Sequence, residues 1–243
     1  MRNVIYFGNS IKMVQFLLSS SIFDLNLWIS EKRFKESQEK LTAGMQVNHQ
    51  YVENINELEN LVSNITIPDL VIMYSFGIII SPNIIQKINV YNFHPGSLEK
   101  NRGRNPIEWA ILLGWNNDEM SLHKIDEKID TGLLISSKTI DIDSNDTVSA
   151  IQTKMENSIP SLLNDLEDYL SGKRLGKVVV PGVYRKRISE SDFTIDLEND
   201  SLETIKNKIR SQKDYNGAIV FVKGEKHHVK SLDDFIFLTG RGV

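Results

Sequence analysis

Cysteine is absent from the 243 residues of the chain. Disulfide bonds, thiolate nucleophiles and thiolate metal sites are therefore excluded, although the redox compartment stays open. An excess of basic residues is also missing, because 28 Lys and Arg stand against 32 Asp and Glu. A net charge of −4 makes nucleic acid a poor expectation for the main partner. A few local cations could still bind an acidic small molecule.

Long apolar runs are scarce as well. The longest, Leu70 to Ile80, is interrupted by Ser75 and Gly77. It is too short for a membrane span, which needs about 20 residues. The first ten residues, MRNVIYFGNS, lack the features of a secretory signal. These absences predict a cytoplasmic protein with no membrane partner.

Strand and helix patterns alternate through the first half of the chain. The segments predicted as strands are 3–8, 25–30, 69–74 and 88–93. One predicted helix begins at Ile11, and three more span 31–40, 53–64 and 82–87. This alternation predicts an α/β fold, with a Rossmann-like, mostly parallel sheet and helices on both faces.

The second half of the chain is less regular. A helix is predicted at 107–113, then strands at 120–126 and 132–140, then a long helix at 146–171 bent at Pro160. From about residue 176 the pattern changes to short strands and turns, with one helix at 202–212. We therefore expect a catalytic domain at 1–176 and a smaller α+β appendage at 177–243.

Asn92 and His94 form the first candidate site. Side chains two apart on a strand share a face, and Pro95 and Gly96 end that strand. In α/β folds, ligands lie beyond the carboxyl ends of the strands. One strand end thus presents an amide donor and an imidazole that can exchange a proton. Taken alone, this pattern fits a surface histidine equally well.

Three further polar segments are weaker candidates. One is the arginine-rich loop 102–106, another is the turn Asp130-Thr131-Gly132, and the third is the strand-to-helix turn at Asn9 and Ser10. Asp130 could meet His94 across the mouth of the sheet, orient its ring and raise its pKa. Backbone N–H groups at Asn9 and Ser10 could bind a phosphate, although such a turn needs no ligand.

Together these segments resemble one enzyme family. The run YNFHPGSLEKNRGRNPIEWAILLG, followed by SLHKIDEKIDTGLLIS, is similar to the 10-formyltetrahydrofolate-dependent formyltransferases. Their pattern is Asn-x-His-Pro, then an Arg-Gly-x-x-Pro loop, then Asp-Thr-Gly. All three parts occur here in order, and their conjunction is far more specific than any part alone.

The resemblance implies roles for particular residues. It makes Asn92, His94 and Asp130 the catalytic residues, with 10-formyltetrahydrofolate as co-substrate and no metal. It implies folate contacts from two segments, which comprise Tyr74, Ser75, Phe76, Gly77, Ile78, Ile125 and Asp126. It places Arg102 and Asn105 on the acceptor side of the cleft. The tail, by the same resemblance, contributes nucleotide contacts from Tyr184, Arg187 and Arg210.

The acceptor amine is open among three groups of the family. The chain continues well past the point where glycinamide ribonucleotide enzymes usually end. Methionyl-tRNA formyltransferases need a basic surface for the RNA backbone, whereas this chain is net acidic. Its tail resembles the tRNA and sugar enzymes, but Ser191 and Asn216 depart from the usual Glu and Pro. Length favours the sugar N-formyltransferases.

The resulting expectation is a homodimeric N-formyltransferase acting on a nucleotide-linked amino-dideoxy sugar. Examples are dTDP-4-amino-4,6-dideoxyglucose and GDP-perosamine, which feed O-antigen and other surface polysaccharides. A formyltetrahydrofolate hydrolase remains a rival. A non-catalytic binder on the same fold is disfavoured by the complete set of catalytic residues. A dinucleotide dehydrogenase is disfavoured because FGNSIK lacks the glycine fingerprint.

Overall fold

A computed structural model describes residues 1–241 of the chain. Twelve strands are assigned in these residues. They are β1 Arg2–Gly8, β2 Phe23–Glu31, β3 His49–Val52, β4 Leu70–Tyr74, β5 Val90–His94, β6 Arg102–Gly103, β7 Asn117–Lys124, β8 Leu133–Asp141, β9 Tyr184–Arg185, β10 Thr194–Ile195, β11 Ala218–Val222 and β12 Glu225–Val229.

Ten α-helices accompany the strands in the same residues, and one 3-10 turn, Lys32–Phe34, follows β2. The helices are α1 Ile11–Leu18, α2 Lys35–Leu41, α3 Ile55–Ser63, α4 Pro82–Ile85, α5 Pro106–Leu112, α6 Val148–Asn157, α7 Ile159–Leu170, α8 Glu190–Phe193, α9 Leu202–Gln212 and α10 Leu232–Thr239. Within residues 1–241, no helix is long and apolar enough to cross a membrane.

The main sheet has seven strands in the order β3-β2-β1-β4-β5-β7-β8. The first five strands of that order pair in parallel, and β7 pairs antiparallel with β5. Because β1 lies between β2 and β4, the direction of strand addition reverses there. The predicted Rossmann-like, mostly parallel α/β fold is confirmed.

Local sequence explains where the helices begin. Ser10 caps α1 by accepting a hydrogen bond from the backbone N–H of Met13 at 3.3 Å. Asn54 caps α3 through the N–H groups of Asn56 and Glu57. Each such cap is worth about 1 kcal/mol. Pro82 and Pro106 lie in the first turns of α4 and α5, where a missing N–H costs little.

The chain forms two compact units, each made of several segments. The first unit contains Met1–His94, Ser121–Ser137 and Ser158–Val180. Its core includes Phe7, Ile29 and Val71, all fully buried, on β1, β2 and β4. Burying a side chain of this size contributes about 2 kcal/mol. This core fixes the parallel strands from whose ends the candidate site projects.

The second unit contains Pro95–Met120, Lys138–Asn157 and Pro181–Val243. A small sheet, β10-β11-β12, covers its apolar core together with α9 and α10. Its buried residues are Ile195, Ile205, Ile209, Ala218, Val220, Val229 and Phe235. The proposed boundary at 176/177 stays a prediction. The second unit takes in two earlier segments as well as the tail.

Some elements differ from the sequence prediction. The single long helix is wrong in detail, because α6 ends at Asn157 and α7 begins at Ile159. Pro160 lies in the first turn of α7 and lacks the N–H that a continuous helix would use. Strand β3 and helix α10 were not predicted, since short and weakly alternating segments give little pattern.

Candidate active site

Asn92 and His94 lie on β5 with their side chains on one face, as predicted. Strand β7 runs beside them, and its register sets His123 opposite Asn92 and Ser121 opposite His94. The two β5 side chains are buried, at 9% and 4% exposure. A buried amide and a buried imidazole are therefore presented by a rigid strand of the first unit.

Asp130 brings its carboxylate to this strand end. Its Oδ2 lies 3.6 Å from His94 Nδ1, and its side chain is 10% exposed. That separation is within ion-pair range but longer than a direct hydrogen bond. The predicted meeting of His94 and Asp130 is therefore present in the structure.

A second histidine, His123, completes the cluster. Asn92 Nδ2 lies 3.2 Å from His123 Nε2, and Asp130 Oδ1 lies 3.6 Å from the same nitrogen. When the amide donates, Nε2 accepts and the ring proton lies on Nδ1. His123 Nδ1 is buried without a hydrogen-bond partner among the residues described. His123 Nε2 thus lies close to both the Asn92 amide and the Asp130 carboxylate.

The Asp-Thr-Gly turn has a local explanation for each residue. Asp130 adopts φ 51°, a left-handed conformation that Asp tolerates better than most residues. Thr131 donates its hydroxyl to Asp126 Oδ1 at 2.6 Å, which closes the loop. A Cβ on Gly132 would lie 1.8 Å from the carbonyl oxygen of Lys124, so only glycine fits. The sequence motif is therefore the means by which Asp130 is positioned.

Two segments were predicted to contact the folate. In the first, Tyr74 is buried, and its carbonyl accepts a hydrogen bond from the Tyr6 hydroxyl at 3.0 Å. Residues Phe76 and Ile78 pack against the first unit's core, and so does Ile125 of the second segment. The two segments therefore share one apolar support, while Ser75 and Gly77 are exposed. Their contact with a folate stays a prediction.

Asn9 and Ser10 are already bonded within the first unit. Asn9 Nδ2 donates to Glu31 Oε1 at 2.7 Å, and Ser10 Oγ caps α1. The Glu31 carboxylate at this turn also pairs with Arg33, whose Nη2 lies 2.9 Å from Oε2. The phosphate contact predicted for Asn9 and Ser10 stays a prediction.

Arg102 and Asn105 meet the tail strand within the second unit. Strand β6 pairs in parallel with β9, so that Arg102 lies opposite Tyr184. Arg102 Nε donates to the carbonyl of Gly182 at 2.8 Å. Asn105 Oδ1 accepts from the N–H of Ile188 at 3.4 Å. The loop at 102–105 and the tail segment at 182–188, which are far apart in the sequence, are thus joined by hydrogen bonds.

A cluster of cations and indoles surrounds this strand pair. The Arg185 guanidinium lies 5.8 Å from the ring centre of Trp109 and 5.8 Å from that of Trp115. Tyr184 is 47% exposed, and Arg187 is also exposed. Tyr184 and Arg187 lie close to Arg185 in the sequence, and exposed Tyr and Arg side chains suit a planar base and an anionic group.

Arg210 differs from the other predicted contacts. Its guanidinium donates to the carbonyl of Asp143 at 2.6 Å and to Asn207 Oδ1 at 2.9 Å. Burial lowers the pKa of this guanidinium below its usual value. The bond to Asp143 joins α9 to the 142–147 loop, and the bond to Asn207 lies within α9. Arg210 therefore has a structural role, and its nucleotide contact stays a prediction.

A buried carboxylate organises the loop that follows β5. Asp118 accepts hydrogen bonds from the N–H of Ser97 at 3.0 Å and from Asn101 Nδ2 at 2.6 Å. Burial raises the pKa of this carboxyl above its usual range.

In the part of the chain that the structure describes, no group of three or more His, Asp or Glu could hold a metal ion.

The family model for formyl transferase matches residues 29–165. This range includes the four residues of the β5 site, Asn92, His94, His123 and Asp130. The chain belongs to the formyl transferase family. It is similar to methionyl-tRNA formyltransferase of Pseudothermotoga lettingae, with 31% identity over 162 residues. The alignment covers 65% of this chain and 53% of that protein. The chain thus spans about half the length of this relative.

Two solved structures share the fold of this formyl transferase. One is a sugar N-formyltransferase from a Shewanella species, with a TM-score of 0.74 and 20% identity. The other is a 4-N formyltransferase from Francisella tularensis, with a TM-score of 0.77 and 16% identity. Each alignment covers 95% of this chain and 97% of the other. At these identities the likeness concerns the fold alone.

His123 is the residue of this formyl transferase that sequence reasoning missed. The strand at 120–126 was predicted, but its antiparallel register against β5 was not. Period-two alternation puts Ser121 and His123 on one face, which is a usable signal. Only the register of Asn92 with His123 shows that this face meets β5.

We expect His123→Leu to lower kcat by about 10- to 100-fold, because it would displace the Asn92 amide, and a shift of about 1 Å in an active site can cost about 10²-fold. The KM for the folate should stay near the wild-type value, since His123 touches Asn92 rather than the folate segments. His123→Gln keeps an acceptor for the Asn92 amide and should recover much of the rate. Steady-state kinetics on folded variants measure both quantities. A folded His123→Leu protein with the wild-type kcat would rule out this role.

Proposed function

We propose that this formyl transferase moves the formyl group of 10-formyltetrahydrofolate onto the amine of a nucleotide-linked amino-dideoxy sugar. One observation supports the reaction above all others. Asn92, His94 and Asp130 project from one strand end and one adjoining turn, and His94 Nδ1 lies 3.6 Å from Asp130 Oδ2. An amide donor, an imidazole and a carboxylate are the groups that acyl transfer to an amine requires.

The neutral acceptor amine attacks the formyl carbon and forms a C–N bond. The carbonyl electron pair moves to oxygen, and Asn92 donates an N–H to the resulting oxyanion. An amide nitrogen carries two N–H groups, so the contact with His123 leaves a second donor on Asn92. The intermediate then collapses, the bond to folate N10 breaks, and N10 leaves with a proton.

Proton movement is assigned to His94. Its Nδ1 faces the Asp130 carboxylate at 3.6 Å, so proton exchange with the substrate is assigned to Nε2. His94 takes the proton that the attacking amine loses and returns one to N10 of the folate. Asp130 orients the ring and stabilises the imidazolium formed between these steps.

The folate is proposed to lie along Tyr74–Ile78 and the loop at Ile125 and Asp126. The support is structural, because Phe76, Ile78 and Ile125 share one apolar core. Asp126 accepts from the N–H of Lys128 at 3.1 Å, in addition to its bond with Thr131. This arrangement gives the Asp130 loop a fixed shape next to the proposed pterin segment.

For the acceptor, we propose that Tyr184 and Arg187 contact the nucleotide and that Arg102 and Asn105 contribute to sugar recognition. The exposure of Tyr184 and Arg187 supports this assignment. The titles of two structures with this fold name a sugar N-formyltransferase and a 4-N formyltransferase.

We also propose that the protein is a homodimer that acts in the cytoplasm, in the synthesis of surface polysaccharides. Leu175, Val178 and Val180 are exposed apolar side chains that a second copy could cover.

Methionyl-tRNA is the competing acceptor. A relative 31% identical over 162 residues carries that name, which keeps the tRNA reaction in view. Against it stands the net charge of −4, because binding to an RNA backbone depends on neutralising phosphates with Lys and Arg. The two acceptors are distinguished by assay rather than by the catalytic residues, which both reactions would share.

The acceptor is tested by offering 10-formyltetrahydrofolate with one amine at a time. The panel comprises dTDP- and GDP-linked 4-amino-4,6-dideoxy sugars, a 3-amino sugar, glycinamide ribonucleotide and methionyl-tRNA, with a no-acceptor control. We expect one nucleotide sugar to gain the mass of a carbonyl group, as read by mass spectrometry. Tyr184→Ala should raise the KM for that sugar. Formylation of methionyl-tRNA alone would replace the proposed acceptor, and folate deformylation without an acceptor would indicate a hydrolase.

A further inference from the structure

Three segments meet at the point where the direction of strand addition reverses. They are Asn9 after β1, Glu31 at the end of β2 and Ser75–Gly77 after β4. The order β2-β1-β4 makes their carboxyl ends neighbours. In open α/β sheets, ligands bind beyond the strand ends at such a switch point. The contacts among these segments therefore decide how the loop after β4 is held.

Glu31 joins all three segments through one carboxylate. Its Oε1 accepts from Asn9 Nδ2 at 2.7 Å and from the backbone N–H of Gly77 at 2.8 Å. Its Oε2 lies 2.9 Å from Arg33 Nη2, and its side chain is 12% exposed. A carboxylate with charged and neutral donors in these positions makes strong hydrogen bonds.

Asn9 completes the connection to the same loop. Its Oδ1 accepts from the N–H of Glu31 at 3.0 Å, which makes the Asn9–Glu31 contact reciprocal. Both its backbone N–H and its Nδ2 donate to the carbonyl of Ser75, at 3.2 and 2.5 Å. Gln38 Nε2 donates a hydrogen bond to the Asn9 carbonyl at 3.1 Å, which adds a further contact to this turn.

The loop that receives these bonds has a conformation that it does not favour alone. Ser75 has φ 54°, in the left-handed region, where a side chain with a Cβ is disfavoured. A Cβ on Gly77 would lie 3.2 Å from both Glu31 carboxylate oxygens and from Arg33 Nη2. Strained backbone of this kind persists when its surroundings determine it. Here the surroundings are Asn9 and Glu31.

We propose that Glu31 is a positioning residue for the folate co-substrate, an inference that rests on the proposed function. It acts through the N–H of Gly77 and through Asn9, and it keeps Ser75–Gly77 in the conformation that binds the folate. Without this carboxylate, two donors lose their acceptor and the loop spends most of its time in other conformations. Apparent affinity then falls in proportion to the fraction of molecules that remain competent.

The expected effect is on binding rather than on chemistry. Glu31→Ala should raise the KM for 10-formyltetrahydrofolate, and the Kd for 5-formyltetrahydrofolate as a stable probe, by about tenfold or more. At saturating folate, kcat should stay within about threefold of wild type, because Asn92, His94 and Asp130 are unchanged. Glu31→Gln keeps a carbonyl acceptor for Gly77 and Asn9 and should restore most of the affinity.

Glu53→Ala is the matched control. Glu53 is also a carboxylate, it pairs with Lys32 at 2.6 Å, and its side chain is 52% exposed. Its loss should leave the Kd, the KM and the melting temperature near their wild-type values. Amide hydrogen exchange gives a readout independent of activity, since the Gly77 N–H should exchange faster in Glu31→Ala than in Glu53→Ala. Asn9→Ala serves as a second variant in case Glu31→Ala fails to fold.

The outcomes separate this inference from the proposed function. If the wild-type protein does not bind 5-formyltetrahydrofolate, the proposed function fails, and the inference with it. If the wild-type protein binds but folded Glu31→Ala or Asn9→Ala binds equally well, the inference alone is overturned. Loss of affinity with faster Gly77 exchange, and recovery in Glu31→Gln, would establish the positioning role.

Discussion

Replacing His94 by alanine is expected to lower kcat by about 10²–10⁴, the usual value of a general acid–base group. The reason is that the proposed reaction assigns proton transfer to His94, whose Nδ1 lies 3.6 Å from Asp130 Oδ2. The KM for the folate should change little, because His94 lies on β5 and not in the segments proposed to hold the pterin. Single-turnover kinetics with saturating 10-formyltetrahydrofolate measure the loss.

Two controls keep the His94 result interpretable. His94→Gln preserves most of the side-chain volume at a position only 4% exposed, and it should show a similar loss with a smaller change in stability. His228→Ala removes an exposed histidine on β12 and should leave kcat unchanged. A folded His94→Ala protein with the wild-type rate would remove His94 from the mechanism.

The second large effect is expected at Asn92. Replacing it by alanine removes the proposed oxyanion donor and should lower kcat by about 10²–10³. Asn89→Ala, at an exposed position just before β5, is the matched control and should retain the wild-type rate. Measured on the same preparations, an Asn92→Ala kcat within a factor of two or so of wild type would disprove oxyanion stabilisation by this amide.

The double variant Asn92→Ala/His94→Ala carries additional information. Groups that act on one tetrahedral intermediate give losses that do not add. The combined loss should therefore be smaller than the product of the two single losses.

Much of the fold followed from residue patterns. The apolar segment at 69–74 and the glycine-ended segment at 3–8 became β4 and β1, because continuous apolar runs bounded by turns are typical of buried parallel strands. The Asp130-Thr131-Gly132 turn could also be predicted, because Asp130 tolerates a left-handed conformation and Gly132 leaves room for a neighbouring carbonyl oxygen. Constraints that act between near neighbours in the chain can be inferred from the sequence.

The remainder depended on contacts between distant segments. His123 became part of the site only through an antiparallel register, which one-residue slips would change completely. Glu31 accepts a hydrogen bond from the N–H of Gly77, which lies 46 residues later in the chain. No periodicity in the sequence connects the two residues. Arg210 is predicted as a nucleotide contact, and its bond to the 142–147 loop could not be foreseen from the sequence. Tertiary partners of single polar side chains leave no periodic trace.

The most direct test of the central claim follows the formyl carbon itself. The protein is incubated with 10-formyltetrahydrofolate labelled with carbon-13 in the formyl group, together with the acceptor panel, and the products are read by NMR and mass spectrometry. We expect the label to enter an acceptor as an N-formyl amide, with one tetrahydrofolate released per amide formed, and we expect His94→Ala to block both. Label that stays on the folate with every acceptor, or binding of no folate at all, would contradict formyl transfer as the reaction of this protein.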